Sequence, residues 1–202
     1  MRQETGSNTH LTNDKVSIQL RLGGHSFSAA ELERLAAADG IVTVLVNSPK
    51  VTLVPRAEFD TSLAEHYLAI CGKAPNEQEC TLFSDTEADI IAVMAVDRAE
   101  ANTIADILGP RARFTTPLLY DSHCDENCTV ATLLDDVLYL RHYNNGLRYA
   151  EAIAVSCEAD TLYYIIEGRN HCAAEEQTPL YMHADKGCYK LLKRYIRRVI
   201  CE

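Results

Sequence analysis

Two short turns hold the residues of this chain best suited to phosphate chemistry. The first is Leu22-Gly23-Gly24-His25 and the second is Leu134-Asp135-Asp136-Val137. A hairpin that grips a nucleotide needs small residues, so that backbone N–H groups can approach the phosphates, and an Asp to organise a hydrated metal. The first turn has the glycines but no acid, because the strand before it offers Gln19 and Arg21. The second has two acids but no glycine, and bulky Leu134 and Val137 flank it. Gly23, Gly24, Asp135 and Asp136 are the cleft candidates if a nucleotide binds, yet neither turn carries the full set. Adjacent aspartates are also ordinary turn formers. A two-metal nuclease needs a carboxylate in the first strand, and residues 16–22 contain none. The expectation is no catalytic residue, no metal site and no cofactor.

Other clusters carry weaker signals. His123, Cys124, Cys128, His171 and Cys172 have spacings compatible with zinc, but nothing in the sequence brings the two groups together. With eight cysteines in a chain of 202 residues and no apolar leader, reduced structural thiols are expected. Net charge is −10, which disfavours nucleic acid as a general partner. Of 19 basic and 29 acidic residues, six and one fall in 186–202, which leaves the rest of the chain at −15. Lys190, Lys193, Arg194, Arg197 and Arg198 form one side of an expected terminal helix over 187–199, a candidate surface for an anionic partner such as RNA or an acidic protein segment. The same cations also complement the helix's own C-terminal dipole. Tyr139, Tyr143, Tyr149, Tyr163, Tyr164, Tyr181, Tyr189 and Tyr195 crowd the second half, a composition suited to a protein-binding or homodimer face as well as to ordinary packing.

The elements around these residues follow from periodicity. Residues 16–22 alternate as a half-buried strand, Gly23-Gly24 turns it, and 25–30 return. A short helix is expected over 30–38, then an unbroken apolar strand over 41–46 and another over 50–54. A helix over 57–71 places Phe59, Leu63, Tyr67 and Ile70 on one face. Strands at 80–84 and 89–96 precede a helix capped by Asp97 and stopped by Gly109-Pro110, with a further strand at 113–116. Residues 129–134, 137–143 and 147–155 read as three antiparallel strands, with Asn145-Gly146 a strong hairpin signal. A helix over 158–171 and a strand over 180–183 complete the pattern. No apolar run is long enough to span a bilayer.

Hairpin, helix and buried strand thus occur twice, the order of an α/β fold of the actin-like ATPase, ribonuclease-H-like kind. Mixed sheets flanked by helices would form two similar halves, 14–117 and 118–202, after a disordered lead-in at 1–13. Several stretches support this by resemblance: Val16-Ser17-Ile18-Gln19-Leu20, Val51-Thr52-Leu53-Val54-Pro55 with Glu58-Phe59, Ala159-Asp160-Thr161-Leu162-Tyr163-Tyr164-Ile165, and 191–199. Across most of 14–200 the chain resembles a bacterial family known only as domain-of-unknown-function family 3822. The resemblance implies an actin-like fold with no established activity and transfers no catalytic residue. It also implies a shortened second half that lacks a terminal strand. The functional expectation is a non-catalytic cytoplasmic interaction or scaffold protein with an unknown protein partner or a second copy of itself, and no membrane. The alternatives are an ATPase with unconventional phosphate contacts and an RNA-associated accessory protein acting through the basic terminal helix.

Overall fold

The computed structural model describes residues 16–21, 36–37, 40–119, 127–183 and 186–201. The lead-in, the Gly23-Gly24 turn with its return strand, most of the 30–38 helix and most of the 117–127 connection lie outside them. The described strands are β1 (Val16–Arg21), β2 (Val42–Asn47), β3 (Val51–Pro55), β4 (Glu79–Phe83), β5 (Ile90–Asp97), β6 (Ala112–Thr115), β7 (Asn127–Leu134), β8 (Val137–Asn144), β9 (Leu147–Ala154), β10 (Leu180–His183) and β11 (Val199–Cys201). The described α-helices are α1 (Ala64–Ile70), α2 (Arg98–Leu108), α3 (Glu158–His171) and α4 (Lys186–Leu192).

Three sheets result. One is parallel, in the order β1-β2-β6. A second is antiparallel, in the order β3-β5-β4, and lies in the chain between β2 and β6. The third is mixed, in the order β11-β10-β7-β8-β9. Its β7-β8-β9 meander is antiparallel, whereas β10 and β11 run parallel to β7 after crossovers through α3 and α4.

Period-two side-chain alternation lets two strands serve two cores each. On β8, Val137 and Tyr139 enter a core with Val44, Val46 and Met94, while Leu138 and Leu140 enter another with Ile165, Leu180 and Leu192. On β5, Ala92, Met94 and Val96 face the first of these cores, and Val93 and Ala95 face Ala64 and Leu68 of α1. Strands covered on both faces read as continuous apolar runs, as β5 does. The first core therefore joins the third sheet to the other two.

Local chemistry sets the element ends. Asp97 accepts hydrogen bonds from the N–H groups of Ala99 (2.9 Å) and Glu100 (3.0 Å), a cap that contributes about 1 kcal/mol. Ala101, Ile104 and Leu108 then make the buried stripe of α2. The Asn145-Gly146 turn takes φ of 51° and 108°, the left-handed pair that such a hairpin needs.

Three expectations change. The helix over 57–71 is broken into 3₁₀ turns at Arg56–Glu58 and Thr61–Leu63 followed by α1. Asp60 captures the N–H of Ser62 at 2.8 Å, which restarts the helix locally. Ala64 and Leu68 are the buried face, whereas Leu63 and Ile70 are exposed. The terminal helix ends at Leu192 instead of continuing through 199. Arg194 and Tyr195 bond back three residues, and the chain then extends so that Arg198 O can accept from Leu180 N at 2.9 Å. The open edge of β10 thus captures Val199–Cys201 as β11, and the terminal strand expected to be missing is present.

α3 comes close to β8 at Gly168, where a Cβ would collide with Leu140 Cδ2 and sit 3.3 Å from Tyr149. Leu140 is fully buried and has little room to yield. Gly168→Ala should destabilise the fold by about 1–3 kcal/mol, despite alanine's better helix propensity. Urea unfolding checks this, and an unchanged or raised midpoint would contradict the close approach.

Candidate functional site

The β7–β8 turn holds the two aspartates singled out by sequence. Asp135 adopts φ of 52°, which Asp tolerates better than most residues. The Asp136 carbonyl accepts from Val155 N at 2.8 Å, so the turn is tied to the end of β9. Asn47, at the end of β2, reaches towards this turn through Nδ2, 3.4 Å from Asp135 Oδ2 and 3.5 Å from Leu134 O. Both aspartates are nonetheless exposed, so the turn meets solvent beside the junction of the first and third sheets. Gly23 and Gly24 lie outside the described residues.

Beneath the turn the junction is filled by Tyr139. Its hydroxyl donates to Asn47 Oδ1 at 2.8 Å and accepts from Ser48 N at 2.7 Å. Ser48 Oγ in turn donates to Ala95 O at 2.8 Å and accepts from Lys50 N at 3.1 Å. Tyr139 and Ser48 are fully buried and Asn47 nearly so. Burial, above all, pushes the Tyr139 phenol well above its ordinary range, so it stays a neutral donor. One hydroxyl thus connects β8, the β2–β3 turn and, through Ser48, β5.

Lys73 adds a second tie across the same sheets. Its ammonium donates to Val51 O on β3 and Ala152 O on β9, each at 3.0 Å. Desolvation lowers its pKa, and the nearby Glu151 partly offsets this. Asn47, Ser48 and Lys73 were not marked by sequence, where they read as turn and loop. Tyr139 was one of eight tyrosines that suit an interface or ordinary packing alike. The only available signal was its register, two residues from Val137 on a strand with apolar residues at every other position.

The remaining candidates separate. Cys128 is buried and disulfide-bonded, unlike the reduced state expected, while Cys71, Cys80, Cys157, Cys172, Cys188 and Cys201 are free. His123 and Cys124 lie outside the described residues. Among those described, no three His, Cys, Asp or Glu side chains converge as metal ligands. His171 and Cys172, at the end of α3, line an open pocket of about 390 Å³ with His142, Asn144 and Arg148. The cations expected on one helix divide into Lys190 on α4, Lys193 and Arg194 in the turn after it, and Arg197 and Arg198 leading into β11. Of the tyrosines, Tyr163 and Tyr195 are strongly exposed.

No family model matches the chain, and no curated protein matches it. The resemblance to family 3822 is thus not matched by a family model. Among solved structures, it is similar to a Bacteroides thetaiotaomicron protein with an actin-like ATPase fold and unknown function. The TM-score is 0.71 at 14% identity, over 92% of this chain and 90% of that one. Weaker overlaps are with the cytoplasmic domain of EpsL, an inner membrane component of the type II secretion system of Vibrio cholerae (TM-score 0.42, 16% identity, 83% of this chain and 81% of that one), and with the AlfA filament bound to AMPPNP (TM-score 0.36, 11% identity, 81% and 51%). Those two are too distant in shape to carry an argument. The chain has an actin-like ATPase fold, a mixed α/β architecture of sheets and helices. No described helix is long and apolar enough to cross a membrane.

His142 yields a pH prediction. Its Nδ1 lies 3.1 Å from Thr129 Oγ1, which also accepts from Arg169 at 3.2 Å. Desolvation, with the Arg169 charge, holds the imidazole below its usual 6.5. The unfolded chain then binds more protons below 6.5, so this contribution is present above 6.5 and is lost as pH falls. Denaturant stability measured at pH 7.5 and about 5.5 should fall more steeply in the native protein than in His142→Gln. Equal losses would show that His142 contributes nothing to the pH dependence of stability.

Proposed function

We propose that this chain is a non-catalytic interaction or scaffold protein, a member of family 3822 whose actin-like fold is built from two similar halves. The carrying observation is the buried Tyr139 hydroxyl between Asn47 and Ser48. In a working phosphate site, backbone N–H groups and an acid wait for a ligand. At this junction the Ser48 N–H already donates to Tyr139, and Asp135 has the Asn47 amide beside it. Displacing these contacts would orphan buried polar groups, at about 1–3 kcal/mol each. Division of the halves near 117–118 and a cytoplasmic address belong to the same proposal. Among the described residues six free thiols favour that address, while the disulfide at Cys128 weighs against it.

The competing nucleotide-binding reading rests on Asp135 and Asp136, together with Gly23 and Gly24, which lie outside the described residues. A thermal melt with millimolar ATP and magnesium distinguishes the two, because any ligand that binds only the folded state raises the melting point. The expected result is no shift. A clear, saturable rise that is lost in Asp135→Asn or Asp136→Asn would overturn the non-catalytic reading.

A further inference from the structure

We infer that the cleft between α3 and the turn after α4 is a docking site for a short acidic peptide segment of a partner protein. This deepens the interaction reading above and rests on it. The cleft encloses about 500 Å³, within the range of sites that hold a compact ligand. Lys193, Arg194 and Arg197 line it from one side and Arg169 from α3, and among the described residues Glu176 is the one acid on its wall. Arg197 stands 3.6 Å from Glu176, with both side chains largely exposed, a pair readily exchanged for an incoming carboxylate.

The cations stand on a fixed base. Lys193 N bonds Tyr189 O, Arg194 N bonds Leu191 O, and both Tyr195 N and Ile196 N bond Leu192 O, all at 2.9–3.2 Å. Leu192 and Ile196 are buried in the core on either side of the turn. Lys193 Nζ also rests 4.6 Å above the Tyr189 ring. Holding charges in place before binding reduces the ordering cost of association. Between Arg194 and Ile196, Tyr195 leaves 65% of its surface exposed, and an open aromatic among arginines is the composition of interface hot spots.

Charge and shape together favour a short peptide over RNA. Outside residues 186–202 the chain carries −15, and this field opposes a long polyanion. Of the four lining cations Arg169 is already held by Thr129, Glu175 and Thr178, so three face only a few phosphates, and Tyr195 is the one exposed ring among the described lining residues, short of the successive aromatics on which single strands stack. A few carboxylates, screened from the acidic body beyond a Debye length of about 8 Å, suit the cleft's size and charge.

The test uses the full chain and two fluorescent probes: an eight-residue Asp/Glu peptide containing one Leu, and a single-stranded RNA octamer. Anisotropy titration at about 50 mM salt should show saturable peptide binding that weakens as salt rises. The exposed-site variant Lys193→Gln/Arg194→Gln/Arg197→Gln should lose about ten-fold or more in affinity. Lys190→Gln/Arg198→Gln, outside the cleft, should stay within about two-fold of the native chain. Melting curves verify folding, and Arg194→Gln alone is read if the triple variant melts early. No peptide binding, or equal binding by the cleft variant and the native chain, overturns the inference. So does RNA that binds as tightly as peptide. Peptide failure without an ATP-dependent melting shift counts against the cleft alone, whereas such a shift counts against the non-catalytic reading.

Discussion

The hydroxyl of Tyr139 is the constraint on which the junction of the sheets depends. It is buried without access to water, so its donor and acceptor capacity must be met by protein. Asn47 and Ser48, 92 and 91 positions away in sequence, meet it. Each of these groups needs the others: without the phenol, Ser48 would lose an N–H acceptor and Asn47 a donor. A fully satisfied buried network of this kind specifies one relative placement of its elements. Lys73 reinforces that placement by binding carbonyls on both β3 and β9.

The network is possible because β8 is shared. Val137 and Tyr139 share a core with residues of β2 and β5, and Leu138 and Leu140 share another with residues of α3 and α4. A strand used in this way cannot slip by one residue without exchanging its two faces. The same alternation places Tyr139 at the junction and Leu140 against Gly168. Packing, not propensity, thus decides which tyrosine of the crowded second half becomes structural.

Much of this was legible in local sequence. Alternation marked β1, the unbroken apolar run at 41–46 marked β2, three antiparallel strands were read at β7-β8-β9, and Asp97 and Asn145-Gly146 marked ends through their own chemistry. What was not legible depended on distant partners. The 191–199 segment has the pattern of an amphipathic helix, yet the open edge of β10 draws its end into β11. The 57–71 segment has helical spacing, but Asp60 and its neighbours capture the backbone first. Asn47 and Ser48 looked like turn residues because nothing near them reveals a tyrosine more than ninety positions on. The basic cluster was visible as composition, while its place in a cleft required the turn after α4.

At the junction of this actin-like fold, Tyr139, Asn47 and Ser48 already occupy one another's polar groups. A double-mutant cycle on Tyr139→Phe and Asn47→Ala, read by urea unfolding, addresses the junction directly. Each single change should cost about 1–3 kcal/mol, since each strands a buried partner. The pair should cost less than the sum, with a coupling of about 1 kcal/mol or more. Additivity within about 0.5 kcal/mol would mean that the two groups act independently, and that the Tyr139 hydroxyl does not hold the junction.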